Sequence, residues 1–431
     1  MNYFDEYLKA TSELIKINSV ESKSIDGKPF GIGVDDCLRK ALSIAQNLGF
    51  KTYYGGGYYG WAEIGNGEEL LGILGHLDTV PFGNDWDIPA LSGEIIDDYL
   101  CGRGVLDDKG PIMATLFATK QLVDNGFIPN KRIRIIFGCD EESGWLCIDK
   151  YCELEEIPTI AFTPDGDFPV INCEKGVAYF SVHMKKPSYL LSINGGERAN
   201  MVMDKAVCVV NNEMAKTLQS YQNTDKNVSI DGNAITAYGK SAHGSSPQIG
   251  DNAFWKILKL FSNYDRNAKS LADIICNTDG SGYNIKCEDE ISGKLTINVG
   301  TITSDSEGIT FSLDIRHPLC ITREQLFEKL TETFANGTVE YGFFHNPLYI
   351  APDHPLCTSL LEAYESVTGE KLQPITIGGG TYARALPTAV AFGPIFPNQE
   401  STIHQKNERA KVTDLKKMYD IYIKAIELLA K

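Results

Sequence analysis

The chain is predicted to be an α/β protein with a mostly parallel central sheet flanked by helices. Three observations carry that expectation. Helix and strand patterns alternate through the N-terminal half. The run Leu70-Leu71-Gly72-Ile73-Leu74-Gly75-His76-Leu77 is apolar almost throughout, too short for a helix and bounded by Gly and Pro, which marks a fully buried strand. Four strands end in acids or a histidine, and open α/β sheets build their sites at the carboxyl ends of strands.

The elements follow in order. Residues 3–17 place Phe4, Tyr7, Leu8, Leu14 and Ile15 at helical spacing. Residues 35–48 read as a second helix, with Asp35 and Asp36 at its start and Gly49 just past its end. Gly55-Gly56-Gly57 is followed by neither Lys-Ser/Thr nor a helix, so it reads as a turn between strands and not as a phosphate loop. After the buried strand, residues 92–104 resemble a hairpin. Pro111 suits the first turn of a helix that runs to about Asn125, with Gly126 as its stop signal. Strands are expected at 132–138, 159–163, 234–239 and 389–394. A helix starts near Asn252, with Phe254, Ile257, Leu258 and Phe261 on one face, and a terminal helix covers 412–429.

At 431 residues the chain exceeds the size at which single cores usually split, so two or more domains are expected. A net charge of −17 argues against a nucleic-acid or anionic-membrane partner. No apolar run approaches the roughly eighteen residues needed to span a bilayer. The opening Met1-Asn2-Tyr3-Phe4-Asp5-Glu6 lacks a basic region followed by an apolar one, so no secretory signal is expected. Eleven cysteines without CxxC pairs suggest reduced thiols and a cytoplasmic location.

The chemistry gathers at the strand ends. His76 and Asp78, two apart on an extended segment, point the same way. His76 reads as a metal ligand or base with Asp78 orienting it; the alternative is a buried histidine satisfied by a nearby acid. Asp107 and Asp108 sit behind a Gly-rich turn at a helix start, where capping is the alternative to ligation. Glu141 and Glu142 follow directly off a buried strand, and like charges crowded there need a cation or a proton to coexist. Asp165 closes a further strand. Such a set suits two divalent cations, with zinc, manganese or cobalt preferred over calcium because imidazole is present. One aspartate bridging both ions would balance their charge, and a glutamate not needed as ligand can serve as base.

In order and spacing, Gly75-His76-Leu77-Asp78-Thr79-Val80-Pro81, Gly102-Arg103-Gly104-Val105-Leu106-Asp107-Asp108-Lys109-Gly110 and Asp140-Glu141-Glu142-Ser143-Gly144 resemble the co-catalytic zinc peptidases, the family of glutamate carboxypeptidase, aminoacylase and carnosinase. Thr163-Pro164-Asp165-Gly166-Asp167-Phe168-Pro169, Glu174-Lys175-Gly176 and Ile377-Gly378-Gly379-Gly380-Thr381-Tyr382-Ala383-Arg384 are similar to its bacterial dipeptidase V branch. The resemblance implies that His76 and Asp165 hold one metal, that Glu142 and His404 hold the other, and that Asp107 bridges both across a cis Asp107-Asp108 peptide. It implies that Asp78 fixes the tautomer of His76 and that Glu141 is the general base.

The same resemblance implies a catalytic domain over 1–177 and 348–431, with an α+β lid inserted at 178–347. In the dipeptidase V branch an enlarged lid substitutes for the partner subunit, so a monomer is expected, with a homodimer as the alternative. His243 would stabilise the oxyanion, Asn200 would contact substrate, and Arg316 would pair with the substrate carboxylate by bidentate geometry. For Arg316 the alternative is a cross-strand salt bridge. Gly378-Gly379-Gly380 permits close backbone approach, and Gly380 and Thr381 are expected to bind substrate. His183, His317, His345 and His354 are expected to be structural. The implied activity is metal-assisted hydrolysis of dipeptides with a free C-terminal carboxylate. The alternatives are an N-acyl amino acid deacylase of the same family and a non-catalytic metal-binding protein.

Overall fold

The computed structural model describes residues 1–218 and 225–431, which gather into two compact units. The first comprises Met1–Asn172, Tyr349–Ile375 and Thr381–Lys431; the second comprises Cys173–Leu348 and Thr376–Gly380.

In the first unit six strands lie in the order Lys51–Gly55, Tyr59–Ile64, Arg132–Gly138, Leu70–His76, Ile160–Thr163 and Ala389–Ala391. The last four run parallel, with Leu70–His76 between Arg132–Gly138 and Ile160–Thr163. The first two add on antiparallel. Every residue of Leu70–His76 is buried, as a central parallel strand covered on both faces must be. Helix Lys109–Asp124 packs on that strand and against helices Phe4–Ile15 and Val412–Leu429. Tyr7 stacks on Tyr419 with ring centroids 5.6 Å apart, which locks two of these helices together.

One boundary differs from the sequence expectation. The second helix spans Ile32–Asn47 and so begins before the acids. Gly31 precedes it at φ +96°, and a Cβ on Gly33 would come within 1.8 Å of the Asn18 carbonyl. Asp35 lies inside the first turn, buried, bonded to Tyr54 and Arg39. Pro111 falls in the first turn of the helix Lys109–Asp124, as expected. The triple glycine joins Lys51–Gly55 to Tyr59–Ile64 as a turn.

The second unit is an antiparallel sheet of eight strands in the order Val228–Asp231, Ala234–Tyr238, Lys205–Val210, Leu190–Gly195, Thr296–Ser304, Gly308–His317, Gly176–Lys185, Gly337–His345. Phe180, Ile193, Phe254, Phe311, Leu313 and Leu326 lie in one apolar core with helices Ala253–Phe261 and Arg323–Thr333. Asn252 accepts from the Phe254 N–H and so starts the first of these helices; Thr322 and Gln325 form a capping box at the second. The glycine-rich Thr376–Gly380 belongs to this unit. Thr376 Oγ1 donates to the Ile291 carbonyl at 2.9 Å, and Arg316 Nη1 donates to the Gly378 carbonyl at 3.3 Å. Among the described residues, no helix is long and apolar enough to cross a membrane.

Candidate active site

The parallel strands deliver their ends to one place in the first unit. Leu77 N–H continues the ladder to the Gly138 carbonyl at 3.0 Å, keeping His76 beside the strand that leads to Glu141 and Glu142. The Glu142 N–H donates to Asp78 Oδ2 at 3.1 Å, tying the two strand ends together. Asp140 caps the turn that follows, accepting from Gly144 and Leu146 at 2.9 Å each. Gly75 is required where it stands, since a Cβ there would lie 2.1 Å from Asp108 Oδ2, the oxygen that accepts from His76 N–H.

Asp107 lies at the centre. Its Oδ1 is 2.8 Å from His76 Nε2, and its Oδ2 is 2.7 Å from His404 Nε2. His404 Nε2 is also 3.0 Å from Glu142 Oε1, and His76 Nε2 is 3.8 Å from Asp165 Oδ2. The Asp107-Asp108 peptide is cis. Ligand atoms of His76, Asp107 and Glu142 fall within 4.8 Å of one another, and so do those of His76, Glu141 and Asp165. The far nitrogen of His76 meets the Asp78 main-chain carbonyl at 3.0 Å, closer than the Asp78 carboxylate at 3.5 Å. Orientation of the ring thus comes first from the backbone. Among the described residues, buried Asp78 Oδ1 has no hydrogen-bond partner.

The electrostatics match this crowding. Burial and the charge of Asp107 push Asp165 up to about 7. Burial raises Glu141 well above the usual carboxylate range, with Asp165 as the chief charged neighbour, and it raises Glu142 next to Asp107. Burial also opposes charge on Asp107, yet hydrogen bonds to His404 and His76 hold it below its ordinary range. Burial works against protonated imidazoles too, but Asp107 with Asp78 lifts His76 well above its usual value, and Asp107 with Glu142 lifts His404 to about 11. Carboxylates packed this closely call for positive charge among them.

Within the second unit, the Gly244 N–H donates to the Asn200 carbonyl at 2.7 Å, and Met201 bridges His243, so Asn200 and His243 are brought together. Arg316 is buried, and its guanidinium takes both oxygens of Asp314, Nε to Oδ1 at 2.8 Å and Nη2 to Oδ2 at 3.1 Å. The ion pair thus exists, along one strand and not across strands. Gly380 lies in the loop that Arg316 contacts. Thr381, in the first unit, accepts from Ala383 N–H and caps a short turn. Among the remaining histidines, His183 bonds Thr310, His317 stacks on Phe344, His345 packs against Phe343 and His354 caps helix Pro355–Thr368.

Residues 72–428 match the model of "Peptidase family M20/M25/M40". The chain belongs to this family. It is 36% identical over 456 residues to "Putative dipeptidase YtjP" of Bacillus subtilis (strain 168), covering 99% of this chain and 98% of that protein. The M20 metallo-carboxypeptidase Sso-CP2 of Sulfolobus solfataricus superposes with a TM-score of 0.61 at 19% identity, over 98% of this chain and 99% of that one. YXEP of Bacillus subtilis, described as a dinuclear metal binding peptidase from the M20 family, superposes with a TM-score of 0.55 at 10% identity, over 100% of this chain and 99% of that one. At such identities the two structural matches speak for the fold alone. As an M20 peptidase the chain is a metal-dependent hydrolase.

Two M20-chain residues near this site escaped the sequence reading. Tyr382 is fully buried and sits edge-on to His76, with centroids 6.1 Å apart. Glu408 is buried and binds Arg103 Nη1 at 2.6 Å, Gly104 N–H at 3.1 Å and Leu106 N–H at 3.0 Å, holding the loop that presents Asp107. A glycine-rich Gly102-Arg103-Gly104 loop, whose open N–H groups need an acceptor, was the available signal for Glu408.

Proposed function

We propose that this M20 peptidase hydrolyses dipeptides bearing a free C-terminal carboxylate, using two divalent cations. The observation that carries the reading is the placement of Asp107, whose two oxygens face two different imidazoles at 2.8 and 2.7 Å. A carboxylate so placed suits a bridging role. His76 and Asp165 would hold one ion, Glu142 and His404 the other. Mixed imidazole and carboxylate donors suit zinc first, with manganese and cobalt as substitutes.

Cations held there would supply Lewis acidity to the scissile carbonyl and acidify a water to a pKa of about 7. Glu141 is the proposed base, taking the water proton and passing it to the leaving amine. Asp78 would hold the strand ends in place through the Glu142 N–H. From the second unit, acting as a lid, His243 would stabilise the oxyanion, Asn200 and Gly380 would contact substrate, and Arg316 would bind the carboxylate. Thr381 would line the same substrate site. Asp314 orients that guanidinium through Nε and Nη2 while Nη1 reaches the Gly378 carbonyl, and a substrate carboxylate would bind at the Nη end. The expected setting is a cytoplasmic monomer.

The deciding experiment assays a panel of unblocked dipeptides and N-acyl amino acids, with zinc, manganese and cobalt in parallel and metal content measured on the same samples. Turnover of dipeptides with about two metals per chain is expected. Turnover confined to N-acyl amino acids would overturn the dipeptidase reading.

A further inference from the structure

Of the eleven cysteines, two in the second unit combine proximity with access. Cys320 is exposed and Cys287 half-buried, and both are free thiols. The segments carrying them are stitched together. Asp289, two residues past Cys287, accepts from the Ser292 N–H and Oγ at 2.6 and 2.7 Å and also from the Cys320 N–H. Ser292 Oγ in turn accepts from the Leu319 N–H at 2.9 Å. Leu319 and Ser292 therefore hold the two cysteine segments side by side, and burial with the nearby Cys320 pushes the Cys287 thiol up to about 12. Cys139 and Cys147 also influence one another, but both are fully buried, where an oxidant has no access.

What surrounds the pair gives it consequence. Ile291, at the tip of the short hairpin formed by Glu288–Asp289 and Gly293–Lys294, accepts from Thr376 Oγ1 at 2.9 Å. Thr376 starts the loop whose Gly378 carbonyl receives Arg316 Nη1. Arg316 itself lies on the strand Gly308–His317, which runs directly into Cys320. Hairpin, glycine loop and arginine strand therefore form a chain of contacts, and Cys287 and Cys320 stand at its two ends.

We propose that Cys287 and Cys320 form a reversible disulfide that makes covalent the junction already held by Asp289 and Ser292, and so fixes the Thr376–Gly380 loop against Arg316. With a peroxide as oxidant, the exposed Cys320 thiol becomes a sulfenic acid as the peroxide is reduced to water. The Cys287 thiol then attacks that sulfur, forming the S–S bond and expelling a second water. The pair loses two electrons and two protons in all. A dithiol restores both thiols by exchange.

The test uses the full chain with hydrogen peroxide, followed by dithiothreitol. Intact mass should fall by about 2 Da, and a proteolytic peptide joining Cys287 to Cys320 should appear and vanish on reduction. Amide exchange across 376–380 should slow in the oxidised protein. Cys320→Ser should abolish all three changes, while Cys276→Ser, which alters another exposed thiol, should leave them intact. Sulfinic acid on Cys320 without a linked peptide, or a linked peptide with exchange across 376–380 unchanged, would overturn the proposal. None of these readouts depends on turnover, so failure of the dipeptidase reading stays distinguishable from failure of the disulfide.

Discussion

Glu408 Oε2 accepts from Arg103 Nη1 at 2.6 Å, and neither side chain has meaningful contact with solvent. Removing one partner of a buried pair costs about 3–5 kcal/mol, because the other charge is left uncompensated. Glu408→Ala should lower unfolding free energy by about that amount. It should also loosen the Gly104–Leu106 turn, and so reduce metal retention at Asp107. Glu408→Gln keeps an acceptor for the two main-chain N–H groups and should lose less. Denaturant melts paired with metal analysis check both expectations.

Glu141 sits with His76 and Asp165, close enough that its atoms could serve as a ligand. Acting as base, it should be dispensable for holding metal. Glu141→Ala is expected to lower kcat by about 10²–10⁴-fold while metal per chain stays constant. A fall in bound metal matching the fall in kcat would make Glu141 a ligand instead.

If Asp107 bridges two ions as proposed, the bridging and terminal positions should separate by stoichiometry. His404→Ala should retain the ion held by His76 and Asp165, giving about one metal per chain, whereas Asp107→Ala should hold neither firmly. Chelation should abolish turnover of the unmodified protein, and zinc, manganese or cobalt should restore it. Titrating metal back while recording both occupancy and activity measures each of these outcomes.

The first unit was far more legible in the sequence than the second. Leu70–Gly75 is a short, unbroken apolar run, since a parallel strand covered on both faces leaves few polar positions to blur the pattern, and Arg132–Gly138 is apolar from Ile135 onward. Asp78, Asp107, Glu141, Glu142 and Asp165 were visible because each follows such a strand or a glycine turn. His404 was weaker: it is half-exposed, at φ +60°, in a loop whose course only the fold defines. In the second unit only Ala234–Tyr238 was expected among eight strands. Leu190–Gly195 breaks its alternation at a bulge between Leu190 and Ser192, and its pairing with Lys205–Val210 is set by contacts distant in sequence. Asp35 misled for a related reason. Acids near a helix start suggest capping, but Lys28 and Tyr54 reach Asp35 only through the fold, joining Arg39 one turn along the same helix.

Arg316 offers a test of substrate recognition. Arg316→Lys keeps a cation for Asp314 but loses the planar edge that can pair with a second carboxylate. A charge-assisted hydrogen bond is worth about 1.5–3 kcal/mol, so KM for a dipeptide should rise about 10–100-fold with kcat less affected. Arg316→Ala would leave Asp314 buried and unpaired, so the Lys variant is the cleaner probe. An unchanged KM for dipeptides in the Lys variant would mean that the arginine serves only Asp314.

Asp35 sets an acid limit on stability that is independent of the metal site. Burial opposes its charge, but Tyr54 OH at 2.5 Å, Arg39 Nε at 2.8 Å and Lys28 Nζ at 3.3 Å outweigh burial and hold its carboxyl below the ordinary range. A carboxyl depressed in the folded state binds fewer protons there than in the unfolded chain. Its contribution is therefore complete above the unfolded value of about 4 and is lost as pH falls through the lower folded value. Asp35→Asn should be less stable than the parent at pH 7, and the gap should narrow as pH is lowered below about 4. Urea melts of both proteins at matched pH values measure that gap directly. A gap that stays constant across this window would show that Asp35 stabilises the helix Ile32–Asn47 through packing and neutral hydrogen bonds, not through its charge.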